Sequence, residues 1–237
     1  MPQSPWWAIL PAASIVVVVF GIEAAPDSAA ALTWLALLAV PPLAVLALGW
    51  LVRGTTPGWA LLAAPLFVLA WVGQETLAGE TAATLLSGLA CVALGWLLVS
   101  VVSPDHLRWG IYAMAAIDAV LVGAELLQGP SAVLSAAAPG NLPRLQVLEF
   151  GAARMGFGDA FLAATVGCLL ASDRRLQLRT AALLAALALS FDLLFFALDT
   201  LPATVPVALA LALSRRFQSV RVTDKGDRID RNEPRHG

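Results

Sequence analysis

Apolar residues in this chain come in long runs, without the strict alternation of a half-buried strand or the narrow stripe of a soluble helix. Eight runs can be drawn, at 6–22, 30–52, 59–73, 81–102, 107–127, 152–171, 180–198 and 201–213. About 20 apolar residues of helix cross a bilayer, so the pattern predicts an all-α polytopic membrane protein of eight transmembrane helices. Pro41 and Pro42 sit in mid-run and predict a kink. The eighth run is short and carries Pro202 and Pro206, the weakest pattern for a regular helix. The first run has no Lys or Arg before it, so it reads as a span and not as a cleaved signal peptide. One stretch differs in period. Leu145-Gln146-Val147-Leu148-Glu149-Phe150 alternates enough to predict a short β-strand.

Composition supports the membrane reading. The 237 residues are 59% hydrophobic and 13% charged, against about 25% charged in soluble domains. A net charge of -2 hides an asymmetry: of 14 Lys and Arg, the seven after Ser214 lie in a polar tail, 215–237, expected to be disordered and cytoplasmic. Arg53, Arg108, Arg174, Arg175 and Arg179 fall in alternate loops, which makes those loops cytoplasmic and the 128–151 loop extracytoplasmic. Arg144 and Arg154 are the exceptions, with Arg154 just inside the sixth run. Trp6, Trp7, Trp50, Trp59 and Trp109 lie near run ends, where an interfacial aromatic belt belongs. Cys91 and Cys168 lie inside apolar runs without metal-site spacing and read as packing residues. His106 and His236 lie in a loop and in the tail, which disfavours Ser-His, Cys-His and His-metal chemistry.

The chemistry left to the chain is carboxylate chemistry. Asp118, Asp159 and Asp192 fall inside predicted spans, where a charge costs at least about 2.5–3.5 kcal/mol at mid-bilayer. Such acids mark a functional site or hydrogen-bond to a neighbouring helix. Two of them brought together cannot both ionise and share a proton, which permits general acid–base work on a water molecule. Asp159 enters its span behind Gly156-Phe157-Gly158, a sequence that weakens a helix start and leaves room beside the acid.

From Asp118 onward the chain resembles the presenilin and signal peptide peptidase family of intramembrane aspartyl proteases, as a compact microbial-type member. Ile117-Asp118 stands where the family has Tyr-Asp. Gly156-Phe157-Gly158-Asp159 matches Gly-x-Gly-Asp, and Leu201-Pro202-Ala203-Thr204 resembles the Pro-Ala-Leu motif, with Thr204 in place of leucine. The family has nine spans, five of them before the first aspartate, where four runs are found here. The resemblance implies a prokaryotic plasma-membrane endopeptidase that cuts transmembrane segments or signal peptides. Asp118 and Asp159 would be the catalytic pair. Gly156, Phe157, Gly158, Leu201, Pro202, Ala203 and Thr204 would shape the site. It implies no cofactor, no metal and no nucleic-acid partner. A substrate helix hides its peptide bonds and must unwind, so Leu145 and Val147 are expected to offer it a strand edge. The charge pattern puts the loop between the aspartates outside, as in signal peptide peptidases, favouring substrates with a cytoplasmic amino end.

On this reading residues 1–104 are a four-helix scaffold and 105–214 the catalytic region. Other readings stay open: a prepilin-peptidase-like enzyme, which shares Gly-x-Gly-Asp but usually follows it with a basic residue; a proton-coupled transporter relaying through Asp118, Asp159 and Asp192; and a non-catalytic membrane scaffold.

Overall fold

The computed structural model describes residues 9–25, 27–137, 140–151, 153–193 and 202–214. Trp6, Trp7, Leu201, His236 and the 215–237 tail lie outside the described residues. The fold is mostly helical. In chain order it holds α1 (Leu10–Ala24), α2 (Ser28–Leu46), α3 (Ala63–Val72), α4 (Leu77–Val101), α5 (Pro104–Gly123), α6 (Gln128–Ala136), β1 (Val147–Phe150), β2 (Ala153–Gly156), α7 (Phe157–Leu169) and α8 (Arg174–Asp192). A last helix, α9, covers Thr204–Ser214.

Each predicted run holds a helix, but the eight-span count is not supported. Among the described residues two helices are long and apolar enough to cross a membrane, Ser28–Leu51 and Leu77–Val101. A third counts if Pro104–Gly123 and Gln128–Leu134, turned by 102° at their junction, form one broken span. The rest fall short for local reasons. The third run spends Pro57–Leu62 in a 3-10 turn. The sixth gives 153–156 to a strand, leaving α7 with 13 residues, about 20 Å of helix against a core of about 30 Å. The seventh begins earlier than its apolar pattern, at Arg174, because the Asp173 carboxylate accepts the Arg175 and Leu176 amides at 3.0 and 3.1 Å and caps the helix. The Pro41-Pro42 pair does not end α2, which runs on and widens into a π-helix over Ala47–Leu51. Trp50, Trp59 and Trp109 are exposed, as belt residues would be.

The expected strand forms at Val147–Phe150, and it has a partner that the apolar pattern concealed. β2 pairs antiparallel with it, Leu148 opposite Met155 and Glu149 opposite Arg154. Gly151 takes the positive φ of the tight turn at +59°. Arg154 therefore sits on a strand and not within a span, where its guanidinium meets Glu149 at 3.1 Å.

Two apolar clusters organise the helices. Val40, Ala44, Ala63, Ala70, Ala82, Leu86 and Ala90 join α2, α3 and α4. Leu107, Ile111 and Met114 of α5 meet Leu162 and Val166 of α7 and Val207 and Leu211 of α9. These repeat at three- and four-residue spacing, so one face of each helix is sealed into the cluster. Between the clusters α4 lies directly on α7. A Cβ on Gly95 would come within 3.0 Å of the Thr165 Cα. The cysteines pack along the same seam, with the Cys91 thiol 3.8 Å from the Phe157 carbonyl and the Cys168 thiol 3.6 Å from that of Val92. At one end of the helices Arg53 donates to the Ala171 carbonyl and so joins two basic loops.

Gly95→Leu is expected to force α4 off α7 and to cost at least about 1–3 kcal/mol. Thermal unfolding in detergent, compared with Gly88→Leu, where a Cβ meets nothing within 4 Å, checks it.

Candidate functional site

The α5–α7–α9 cluster ends in a polar layer. Asp118 lies one helical turn beyond Met114 on α5, and Leu162 and Val207 lie three residues into their helices from Asp159 and Thr204. Gly158 brings α7 to the same level: a Cβ there would touch the Met114 Cε at 3.7 Å. The three helices thus deliver Asp118, Asp159 and Thr204 to one place. Asp118 and Asp159 lie at the same end of one apolar cluster.

Asp118 is 5% exposed. A buried carboxylate needs donors, and α9 supplies them. The Thr204 hydroxyl donates to Asp118 Oδ2 at 2.6 Å and the Thr204 amide approaches the same oxygen at 3.4 Å, across 86 positions of chain. Thr204 is the first residue of α9, so its amide has no partner within the helix. The helix therefore points its positive end at the acid. Pro206, in the first turn, lacks an N–H that would have had no intrahelical partner there. The proline motif that makes the eighth run a poor span is what turns a helix start toward Asp118.

Asp159 is held by a second helix start. Gly156 ends β2 and caps α7, and Asp159 stands three residues on, the position from which a capping-box carboxylate reaches back toward the helix start. Gly156 has an ordinary extended backbone, φ -65° and ψ 146°. What it provides is space, because a Cβ there would come within 3.1 Å of the Asp159 carboxylate. The carboxylate of Asp159 itself lies in the room that Gly156 leaves.

The other expected residues fall in different places. Pro202 and Ala203 form the turn leading into Thr204. Phe157 is half-buried, with its carbonyl against Cys91. Asp192 closes α8, and its side chain lies outside what is described. Leu145 and Val147 are buried and are not an open edge. The Thr84 hydroxyl on α4 donates to the Glu149 carbonyl at 2.7 Å, and that of Ser87 to the Leu145 carbonyl at 2.9 Å. A carbonyl turned to α4 faces away from β2, so Glu149–Arg154 is a non-hydrogen-bonded pair. By alternation Val147–Gly156 is another. Among the described residues no third strand joins the sheet. Among the described residues the outer side of β2 at Arg154 has no strand beside it, and β2 leads straight into α7 and Asp159.

Reading by residue type missed Thr84 and Ser87. Their signal was a pair of hydroxyls three apart in an otherwise apolar run. No known protein family, curated protein or solved structure matches the chain.

Thr204→Val keeps the shape and removes the donor, leaving Asp118 buried with one weak contact. A loss of about 1–3 kcal/mol is expected, with most of it restored in Thr204→Ser. Unfolding midpoints in a fixed detergent decide it.

Proposed function

We propose that the chain is a multi-pass intramembrane aspartyl endopeptidase that hydrolyses peptide bonds within transmembrane segments or signal peptides. The observation that carries this reading is that α5, α7 and α9 share one apolar cluster that leads up to Asp118, bound by the Thr204 hydroxyl, and to Asp159 in the first turn of α7. Two neighbouring carboxylates with one proton between them can perform amide hydrolysis without metal or histidine. The ionised carboxylate takes a proton from water as the water oxygen bonds to the scissile carbonyl carbon. The protonated one gives its proton to the carbonyl oxygen. The tetrahedral diol then collapses: the C–N bond breaks, the amine nitrogen takes a proton from the dyad, and a carboxylic acid remains. Thr204 binds Asp118 Oδ2, which leaves Oδ1 for water.

The substrate must give up helical hydrogen bonds before its carbonyl can be attacked. The open edge of β2 offers replacements, since an extended segment can add to it as a third strand. Such a strand would run beside Arg154 and Gly156 toward the dyad. The basic end joined by Arg53 and Ala171 is placed in the cytoplasm, and the hairpin toward the opposite face. That orientation favours substrates with a cytoplasmic amino end.

Purified protein is expected to cleave a single-span test substrate in detergent or liposomes. Asp118→Ala and Asp159→Ala should each lower the rate by about 10²–10⁴-fold. Retained cleavage in either variant sinks the dyad. The pH–rate profile should be bell-shaped, because one shared proton is needed and both its loss at high pH and a second protonation at low pH stop the cycle. Asp192→Asn should leave cleavage unchanged, and a large loss would favour a proton relay. A tag at Pro139 should be accessible from outside the cell, and access only from the cytoplasm reverses the orientation.

A further inference from the structure

Hydroxyls in these helices ordinarily bond back to their own helix. Thr33, Thr81, Thr165 and Ser190 each donate to the carbonyl four residues earlier. Thr84 and Ser87 do not. They reach across to carbonyls 65 and 58 positions away, those of Glu149 and Leu145. One turn before Thr84, the Glu80 carboxylate accepts the Gly151 amide at 2.7 Å, 71 positions away. Glu80, Thr84 and Ser87 stand at i, i+4 and i+7, on one face of α4. The chain they bind runs in the opposite sense, from the hairpin turn back through β1. Ser87 is fully buried, so its bond to the hairpin is made away from competing water.

We propose that Glu80, Thr84 and Ser87 are positioning residues that close the outer edge of β1 and so direct an extended substrate to β2, in fixed register with Asp159. The substrate-directing half of this role rests on the protease reading, while the clasp itself does not. The physical reason lies in the two edges of a two-stranded sheet. Each presents unpaired amides and carbonyls, and either can template an incoming strand. A strand added to β1 would lie on the side away from Asp159. Capping the Glu149 carbonyl removes an acceptor from that edge, and capping the Leu145 carbonyl holds the chain that leads into it. The β2 strand is continuous with the start of α7. Because the same contacts hold the turn at Gly151, they also fix how far along the helix β2 lies, and hence which substrate bond faces the dyad.

The test compares wild type, Thr84→Val combined with Ser87→Ala, and Thr84→Ser, all in full-length protein. Hydrogen–deuterium exchange over 145–156 reads the clasp without reference to activity. About ten-fold faster exchange in the double variant is expected, the size of roughly two net hydrogen bonds, with near wild-type exchange in Thr84→Ser. Unchanged exchange in the double variant overturns the clasp. Cleavage of a single-span substrate, followed by mass spectrometry of the products, reads the register. The double variant should cut at additional neighbouring positions and lose about ten-fold in kcat/KM, while Thr84→Ser keeps the wild-type products. Faster exchange with an unchanged product pattern overturns the directing role. A wild type that cuts no substrate removes the directing role together with the protease reading, and exchange still decides the clasp.

Discussion

A carboxylate taken out of water must be met by donors, and in this chain the donors come from helix starts. The first amides of any helix lack partners inside it, which elsewhere in an apolar protein is a cost. Here the breaks that shorten α7 and α9 point those amides at Asp159 and Asp118. The apolar faces of α5, α7 and α9, from Leu107 to Met114, Leu162 to Val166 and Val207 to Leu211, hold the three helices together beneath the acids. Proline, glycine and aspartate in one small region are thus parts of a single solution. Pro202 and Pro206 set where α9 begins, and Gly156 leaves room for the carboxylate that caps α7.

The same requirement governs the hairpin. Backbone that leaves the helix in so apolar a setting has to be satisfied by the protein. β1 and β2 satisfy one edge of each other. The outer edge of β1 is met by α4, whose hydroxyls abandon their usual bond to their own helix. The remaining edge, on β2, is continuous with the capped start of α7. Site and hairpin are therefore mechanically one unit, bound to α4 at the turn, along β1 and through the contact of Cys91 with Phe157. The close approach of Gly95 to Thr165 extends that union down the length of α7.

The residues beside Asp118 have separable physical roles. Threonine in place of leucine at 204 adds a hydroxyl at the one position from which α9 can reach Asp118. A leucine could offer only the amide. Ile117, in place of tyrosine, packs against the apolar cluster and brings no polar group toward the acids. Among the described residues the side-chain donor that meets Asp118 is the Thr204 hydroxyl.

Much was legible in the chain itself. Long apolar runs specify helices, because a peptide group in an apolar setting has few other ways to bond. The two aspartates could be singled out, because a charge is costly in such a run and has to be explained. The short alternation at 145–150 announced a strand. What remained hidden depended on contacts between segments far apart. The partner strand, 153–156, was masked by the apolar run after it, since three or four residues carry too little pattern to separate a strand from a helix start. The number of helices long enough and apolar enough to span followed from turns and strands that compete locally with apolar length, as at Pro57 and at 153–156, and from the arginines that α8 takes in. Which edge of the hairpin stays open was decided by two hydroxyls on α4, and which donors meet Asp118 by a threonine 86 positions away. Composition and periodicity determined that the chain would be helical, apolar and burdened with buried acids. Only the packing of α4, α5, α7 and α9 decided where those acids lie and which donors meet Asp118, because a hydrogen bond depends on where two atoms finish in space and not on where they stand in the chain.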